Sequence, residues 1–248
     1  NMDLFIYDIK NQSSKKIVKG VYSKPTWNDN KLYYSKKPKR PNKEGSKYYD
    51  LYEYDLELKK EWKITRNQRA FSPVYSSKEN ALFYLSTYDG TQNIYKINLD
   101  LKTTEKLTNF SNKEIISGLS YDESNERLIY DITINHFRNI YYLSLADSTS
   151  GVVLENHLWD KRQSDFSYNG MVYSDDRSGI FNLYFIGRDT EGYLTNVSGG
   201  AFMADIHENG KVVFSLFENG RYKISLLDSI TFIDDAQVGY SPQYFQRN

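Results

Sequence analysis

The chain is predicted to be all-β, a β-propeller of about six four-stranded antiparallel blades. Three observations predict it: a short motif that returns at a nearly fixed interval, a second strand at a constant distance before it, and turn residues between the two. The motif is Asp or Asn, then Leu or Ile, then Tyr or Phe. It stands at Asp3-Leu4-Phe5, Asp50-Leu51-Tyr52, Asn93-Ile94-Tyr95, Asn139-Ile140-Tyr141 and Asn182-Leu183-Tyr184, with a degenerate copy around Ile224-Ser225-Leu226. The aliphatic anchors are separated by 47, 43, 46, 43 and 41 residues. A meander of about four strands repeated at 40 to 45 residues reads as propeller blades. A solenoid would need shorter and more uniform repeats, and a sandwich would not hold its turns at fixed offsets.

Each later anchor is preceded by a second strand, at Leu32-Tyr33-Tyr34-Ser35, Leu82-Phe83-Tyr84, Leu128-Ile129-Tyr130, Met171-Val172-Tyr173-Ser174 and Val212-Val213-Phe214-Ser215. The aromatic at 84, 130, 173 and 214 precedes its anchor by ten residues, whereas Tyr34 precedes Leu51 by seventeen, a seven-residue insertion. A further strand is expected at Ile17, Ile64-Thr65, Leu107-Thr108, Leu154 and Leu194-Thr195. Asn28-Asp29-Asn30, Asp89-Gly90, Asn169-Gly170, Asn209-Gly210 and Asn219-Gly220 supply residues that tolerate the positive φ of tight hairpins. Anchors such as Leu4-Phe5-Ile6-Tyr7 are continuous apolar runs, which suits strands packed on both faces. No segment sustains a 3.6-residue period, so helix is expected to be nearly absent.

The repeats divide residues 1–234 into blades at about 1–19 (partial), 20–66, 67–109, 110–155, 156–197 and 198–234, with 235–248 a tail or linker to a next domain. The first blade starts at its anchor strand and lacks the two strands that precede anchors elsewhere. The missing strands are expected from sequence outside the fragment, so the chain reads as a piece of a larger protein. Ser241-Pro242-Gln243-Tyr244 resembles Ser72-Pro73-Val74-Tyr75, the start of an inner strand.

Composition narrows the function. Lys and Arg number 32 and Asp and Glu 32, a net charge of zero, which argues against nucleic acid or an anionic membrane as the main partner. There is no cysteine, so disulfides, thiolate catalysis and cysteine-ligated zinc are excluded. No apolar run approaches the ~20 residues that span a bilayer as a helix, and no direct membrane insertion by this segment is expected.

One complete repeat carries a family resemblance. Ser72-Pro73-Val74-Tyr75, Ser77-Lys78-Glu79-Asn80, Ala81-Leu82-Phe83-Tyr84-Leu85-Ser86, Asp89-Gly90, Asn93-Ile94-Tyr95 and Leu107-Thr108 together resemble a blade of TolB-like propellers, as do residues 171–195. Elsewhere the Ser-Pro pair becomes Lys24-Pro25 or Gly118-Leu119. Leu194-Thr195-Asn196-Val197-Ser198-Gly199-Gly200-Ala201-Phe202 is similar to the last blade of propellers in long bacterial envelope proteins, where a metallopeptidase-like domain precedes and an outer-membrane barrel follows. The resemblance implies a periplasmic or outer-membrane-associated binding module whose partners are proteins or neighbouring domains of the same chain.

Catalytic residues, metal ligands and cofactor sites are not found. His136, His157 and His207 are too few and too scattered for a metal site. His207-Glu208-Asn209-Gly210 falls in a turn, and Gly118-Leu119-Ser120-Tyr121-Asp122 lacks the last glycine of a nucleophile elbow. Asp175-Asp176 is a carboxylate pair of the type glycosidases use, but it reads as a solvated hairpin turn. The remaining feature is the inserted loop. Lys36, Lys37, Lys39, Arg40, Lys43 and Lys47 place six cations within twelve residues, with Pro38 and Pro41 and the single acid Glu44. They form a candidate partner-binding loop for an acidic protein or lipopolysaccharide-like phosphates, set against a plain solvated hairpin extension. The expected function is a non-catalytic binding or scaffolding propeller. The alternatives are the gating propeller of a prolyl-oligopeptidase-like serine peptidase and a stand-alone carbohydrate-active propeller. Residues 36–48 are expected to project as an exposed loop. Removing about seven of them should change stability by well under 1 kcal/mol, because loop-closure entropy varies slowly with length; urea denaturation of the shortened chain measures this.

Overall fold

The computed structural model describes residues 2–134, 136–154, 158–167 and 169–238. The chain forms two compact units, residues 1–114 and 115–248. Both are built of antiparallel meanders, and the chain is an all-β propeller.

The first unit has two sheets. The first contains β1 (Met2–Asp8), β2 (Ser13–Val21), β3 (Thr26–Asn28), β4 (Lys31–Lys36), β5 (Asp50–Asp55) and β6 (Lys60–Lys63), in the order β1-β2-β4-β5-β6 with β3 also on β4. The second runs from β7 (Ala70–Ser76) through β8 (Ala81–Ser86) and β9 (Asn93–Asn98) to β10 (Thr104–Lys106). The second unit has three. They are β11 (Ile115–Asp122), β12 (Arg127–Ile134), β13 (Phe137–Ser144) and β14 (Ser150–Leu154); then β15 (Lys161–Ser167), β16 (Gly170–Asp175), β17 (Asn182–Gly187) and β18 (Glu191–Tyr193); and last β19 (Ala201–Ile206), β20 (Val212–Glu218) and β21 (Arg221–Leu227). The only helical turn among the described residues is the 3-10 turn Asp235–Gln237.

Five sheets therefore stand where about six blades are expected. The partial blade of residues 1–19 is not separate. Its hairpin β1-β2 joins the next sheet through one pair, Val21 with Lys36, and lays Leu4, Ile6, Ile17 and Val18 against Leu32, Tyr34 and Tyr52. Among the described residues no sheet packs on the other face of β1, and Phe5 and Tyr7 are about half exposed, 49% and 47%. The expectation that Leu4-Phe5-Ile6-Tyr7 packs on both faces fails for that reason. At the other end of the chain the sheet has three strands. Among the described residues β21 has no outer neighbour: the chain turns back after it, and Ile233 pairs with Tyr193 beside β18. Ile224 of β21 is consequently 72% exposed. Residues 239–248, with the inner-strand resemblance at 241–244, lie outside the described residues.

The other anchors occupy equivalent third strands. Leu51, Ile94, Ile140 and Leu183 are fully buried, each contributing about 2 kcal/mol by removal from water. Beside them a tyrosine of the second strand sits in register with a tyrosine of the third: Tyr34 with Tyr52, Tyr84 with Tyr95, Tyr130 with Tyr141 and Tyr173 with Tyr184. Their ring centroids lie 5.8 to 6.3 Å apart, the separation at which aromatic pairs attract. Neighbouring sheets of a unit close over these faces. Tyr33 and Leu51 meet Ala70, Leu82 and Tyr84, and Val172, Leu183 and Phe185 meet Ala201, Ala204, Ile206, Val212 and Phe214.

The polar first residue of the motif and the threonine downstream form a buried clasp. The Thr108 hydroxyl donates to Asn93 Oδ1 at 2.9 Å and accepts from the Ile94 amide at 2.9 Å, while the Phe110 amide donates to the same Asn93 oxygen. Thr65 repeats this with Asp50 and Leu51, and Thr195 with Asn182 and Leu183. These threonines lie just past β6, β10 and β18, not within strands as expected; their hydroxyls are taken up by the clasp. Asp3 makes no such clasp and takes the Gly20 amide and Lys16 instead.

A second set of bonds ties sheet to sheet. Three inner strands, β7, β15 and β19, carry a bulge with a left-handed residue, Ser72 (φ 51°), Gln163 (φ 57°) and Met203 (φ 53°). The bulge amide of Ser72 donates to Ser23 Oγ, that of Gln163 to Asp131 Oδ1 and that of Met203 to Gln163 Oε1. Three residues further on, Tyr75 and Ile206 donate to Thr26 Oγ1 and Asp165 Oδ2 of the preceding sheet.

Thr108→Val keeps the shape and leaves Asn93 Oδ1 and the Ile94 amide short of a partner. It should cost about 1–3 kcal/mol, whereas Thr103→Val at an exposed turn should change stability by less than about 0.5 kcal/mol. Urea unfolding of both variants checks this.

Candidate functional site

In every sheet the hairpin between second and third strands emerges at the end where the chain enters the first strand. This end collects the charged side chains in both units.

In the first unit the hairpin is the inserted loop. Residues 37–49 form no strand, yet they are organised. The Ser46 amide donates to Asn42 Oδ1 at 2.8 Å and Lys47 Nζ to the Lys39 carbonyl at 2.8 Å. At its base Tyr49 stacks on Tyr22 at 4.0 Å, Lys37 lies 4.9 Å from the Tyr49 ring, and Arg69 covers Tyr48 at 4.6 Å. The six cations predicted as one group separate. Lys36 belongs to the sheet, bound to Glu61 and lying over the Tyr52 ring. Lys37, Lys39, Arg40, Lys43 and Lys47 are exposed.

In the second unit eight charged side chains lie together, and sequence reasoning missed six of them. The exception, the Asp175-Asp176 pair, was misread. Asp175 is fully buried, not solvated. Both its oxygens are taken by Arg177, Nε to Oδ1 at 2.9 Å and a terminal nitrogen to Oδ2 at 2.7 Å. The signal was the arginine two residues on, across a turn tight enough to bring it back. Burial works against the charge on Arg177, but the Asp175 bonds outweigh it and hold the guanidinium above its usual pKa. The same guanidinium lies 4.2 Å from the Tyr184 ring and 5.5 Å from that of Trp159. Asp176 accepts from the Asp160 amide at 2.8 Å, and burial raises its pKa.

Lys161 and Arg162 open β15 and turn to opposite faces. Lys161 is 3% exposed, reaches Asn139 Oδ1 at 3.4 Å, and has its pKa lowered by burial. Arg162 lies 3.9 Å over the Phe181 ring and donates to Asp160 at 2.9 Å. Burial and then the neighbouring Arg138 lower its pKa.

Asp131 stands opposite the anchor Ile140, where other blades carry Ser35, Leu85 or Ser174. It is 1% exposed, and Gly118 makes room for it: a Cβ there would lie 2.1 Å from Asp131 Oδ1. Arg138 Nε is 3.9 Å from Oδ2, and that oxygen has no hydrogen bond. Burial pushes the carboxyl pKa up to about 6, against the lowering effect of Arg138.

The cluster is four carboxylates and four cations: Arg177 pairs with Asp175 and Arg162 with Asp160, Arg138 lies 3.9 Å from Asp131, and Lys161 reaches Asn139. Ser120 of the nucleophile-elbow lookalike is buried within β11. His207 accepts the Asn209 amide in a turn, and His157 lies outside the described residues. Among the described residues no three metal-ligating side chains gather, and no helix is long and apolar enough to cross a membrane.

This combination of antiparallel blades, inner-strand bulges and a charged hairpin end defines a β-propeller. No protein-family model matches the sequence, and no curated protein sequence matches it. Solved structures do. TolB from Acinetobacter baumannii matches with TM-score 0.74 and 17% identity over 91% of this chain and 56% of that one. A putative TolB from Agrobacterium tumefaciens matches with TM-score 0.73 and 14% identity over 91% of this chain and 84% of that one. The β-propeller domain of the Trilobed protease from Pyrococcus furiosus, described as having an open velcro topology, matches with TM-score 0.60 and 15% identity over 85% and 82%. The chain thus has the TolB-type propeller fold, and it spans little more than half the length of the Acinetobacter protein.

Asp131 gives a pH signature. Its folded pKa, about 6, exceeds the ordinary 3.8. The stabilisation is therefore complete below about pH 4 and lost as the pH rises through 6. Asp131→Asn keeps an acceptor for Gln163 and cannot ionise. It should match the parent near pH 4 and exceed it by up to about 3 kcal/mol at pH 8. Urea midpoints measured from pH 4 to 8 test this; parallel curves for the two proteins would contradict it.

Proposed function

We propose that the chain is a non-catalytic binding or scaffolding propeller of a bacterial cell-envelope protein, located in the periplasm or at the outer membrane. It holds a protein partner or a neighbouring domain through its hairpin end. The observation that supports this reading most is the division of labour among charges. In the second unit the cluster around Asp131, Asp175 and Arg177 is turned inward, with Asp175 held on both oxygens by Arg177, as a rigid support requires. In the first unit the inserted hairpin holds its cations outward on an ordered loop, as a contact surface requires. The TolB-type fold supports the same reading, and no cofactor is invoked.

The likeness to the Pyrococcus protease propeller favours a second reading, in which the chain is the gating propeller of a prolyl-oligopeptidase-like serine peptidase whose catalytic domain lies elsewhere in the protein.

Photo-crosslinking residues placed at Lys39 and Lys43 of the whole protein in cells should give discrete protein adducts, and one at Glu105 on an outer strand should not. Absence of adducts at all three positions would count against the binding reading. Labelling of the whole protein by a fluorophosphonate would favour the peptidase reading.

A further inference from the structure

Although the chain is neutral as a whole, its charge is unevenly distributed within the first unit. The hairpin end is made by segments 22–25, 36–50, 66–69 and 87–92, which carry nine cations and three acids, six net positive charges. The opposite end is made by segments 9–12, 29–30, 56–59, 77–80 and 99–103, which carry four of each.

The three acids do little to neutralise the first set. Asp50 is fully buried in its clasp and paired with Lys63. Asp89 is paired with Lys106. Glu44 is held by the Asn42 side-chain amide at 2.6 Å. Lys37, Lys39, Arg40, Lys43 and Arg66 are exposed, and they form no ion pair among the described residues.

The segments form one surface. Tyr22 stacks on Tyr49, the Ala70 amide donates to the Tyr49 carbonyl at 2.9 Å, and Arg69 reaches the Thr87 carbonyl at 3.5 Å. Exposed rings are interleaved with the cations, Tyr22 at 46% and Tyr88 at 59%.

We infer that this face of the first unit is the docking surface for an acidic polypeptide segment. The inference rests on the binding reading above and gives the partner its chemistry. Concentrated positive charge on a neutral chain steers an oppositely charged partner and fixes its orientation. Tyrosine and arginine set together are the residues on which protein contacts depend most. The cations are strung along an ordered loop with ring faces between them. That pattern suits an extended chain with acidic and apolar side chains better than a single phosphate, for which no converging set of amide donors is formed.

The test uses residues 1–248 and a fluorescent peptide of about twenty residues, rich in Glu with interspersed Leu. Binding should be measurable by anisotropy and should weaken severalfold as salt rises from about 0.05 to 0.3 M. The triple variant Lys39→Glu/Arg40→Glu/Lys43→Glu should weaken it about tenfold or more. Lys59→Glu/Lys102→Glu at the opposite end should leave it unchanged. Far-ultraviolet circular dichroism and urea midpoints confirm that both variants fold. No binding by the parent chain, or equal loss in both variants, would overturn the inference. So would stronger retention of the chain by anionic vesicles or a DNA duplex than by the peptide. If crosslinks form at Lys39 and Lys43 while the acidic peptide fails, the binding reading survives and only the partner chemistry falls.

Discussion

A carboxylate or carboxamide at the start of a buried strand costs several kcal/mol unless every lone pair finds a donor. Asp50, Asn93 and Asn182 occupy that position, and the clasp with Thr65, Thr108 and Thr195 meets the demand. Much else depends on it. The clasp closes the exit of the outer strand onto the entry of the third, fixes where the chain leaves the sheet, and leads it toward the next inner strand. It also explains why the motif is polar in its first place while its next two residues are apolar. At the two ends of the chain other residues stand in place of the clasp: Asp3 turns to Lys16, and Lys223 occupies the matching position in the three-stranded last sheet, while Asn139 of the four-stranded third sheet accepts from Lys161.

Much of this was legible in the sequence because the periodic features are local. The third strand is set by a triplet, the second in four blades by an aromatic ten residues before, and several of the turns by Asn-Gly and Asp-Gly pairs. The threonines were legible as positions but not in their role, since a residue that ends a ladder and one that continues it look alike. The joining of β1-β2 to the next sheet could not be read, because a repeat shows which strands are alike and not which neighbour an open edge will take.

The charged sites divide in the same way. The cationic loop was visible because its residues are consecutive, although Lys36 proved to belong to the sheet and Glu61. The cluster of the second unit was hidden because Asp131, Arg138, Asp160, Arg162 and Arg177 come from different strands and hairpins and meet only after folding. Asp175 was read as part of a solvated hairpin turn. Its register with Asn182 puts it inside the sheet, where Ser86 stands in the second sheet.

The bonds from each bulge to the preceding sheet are asymmetric. The donors are main-chain amides, at Ser72, Tyr75, Gln163, Met203 and Ile206, while the acceptors are side chains of the sheet before, at Ser23, Thr26, Asp131, Gln163 and Asp165. An amide is supplied by any sequence that can form the bulge, so compatibility between neighbours is written on one side of the junction only. Duplication of a blade within the gene would therefore deliver a working junction without a matching change in the unit that follows. The accepting side chains can drift in identity, as serine, threonine, glutamine and aspartate have here, while the bulge that meets them stays the same.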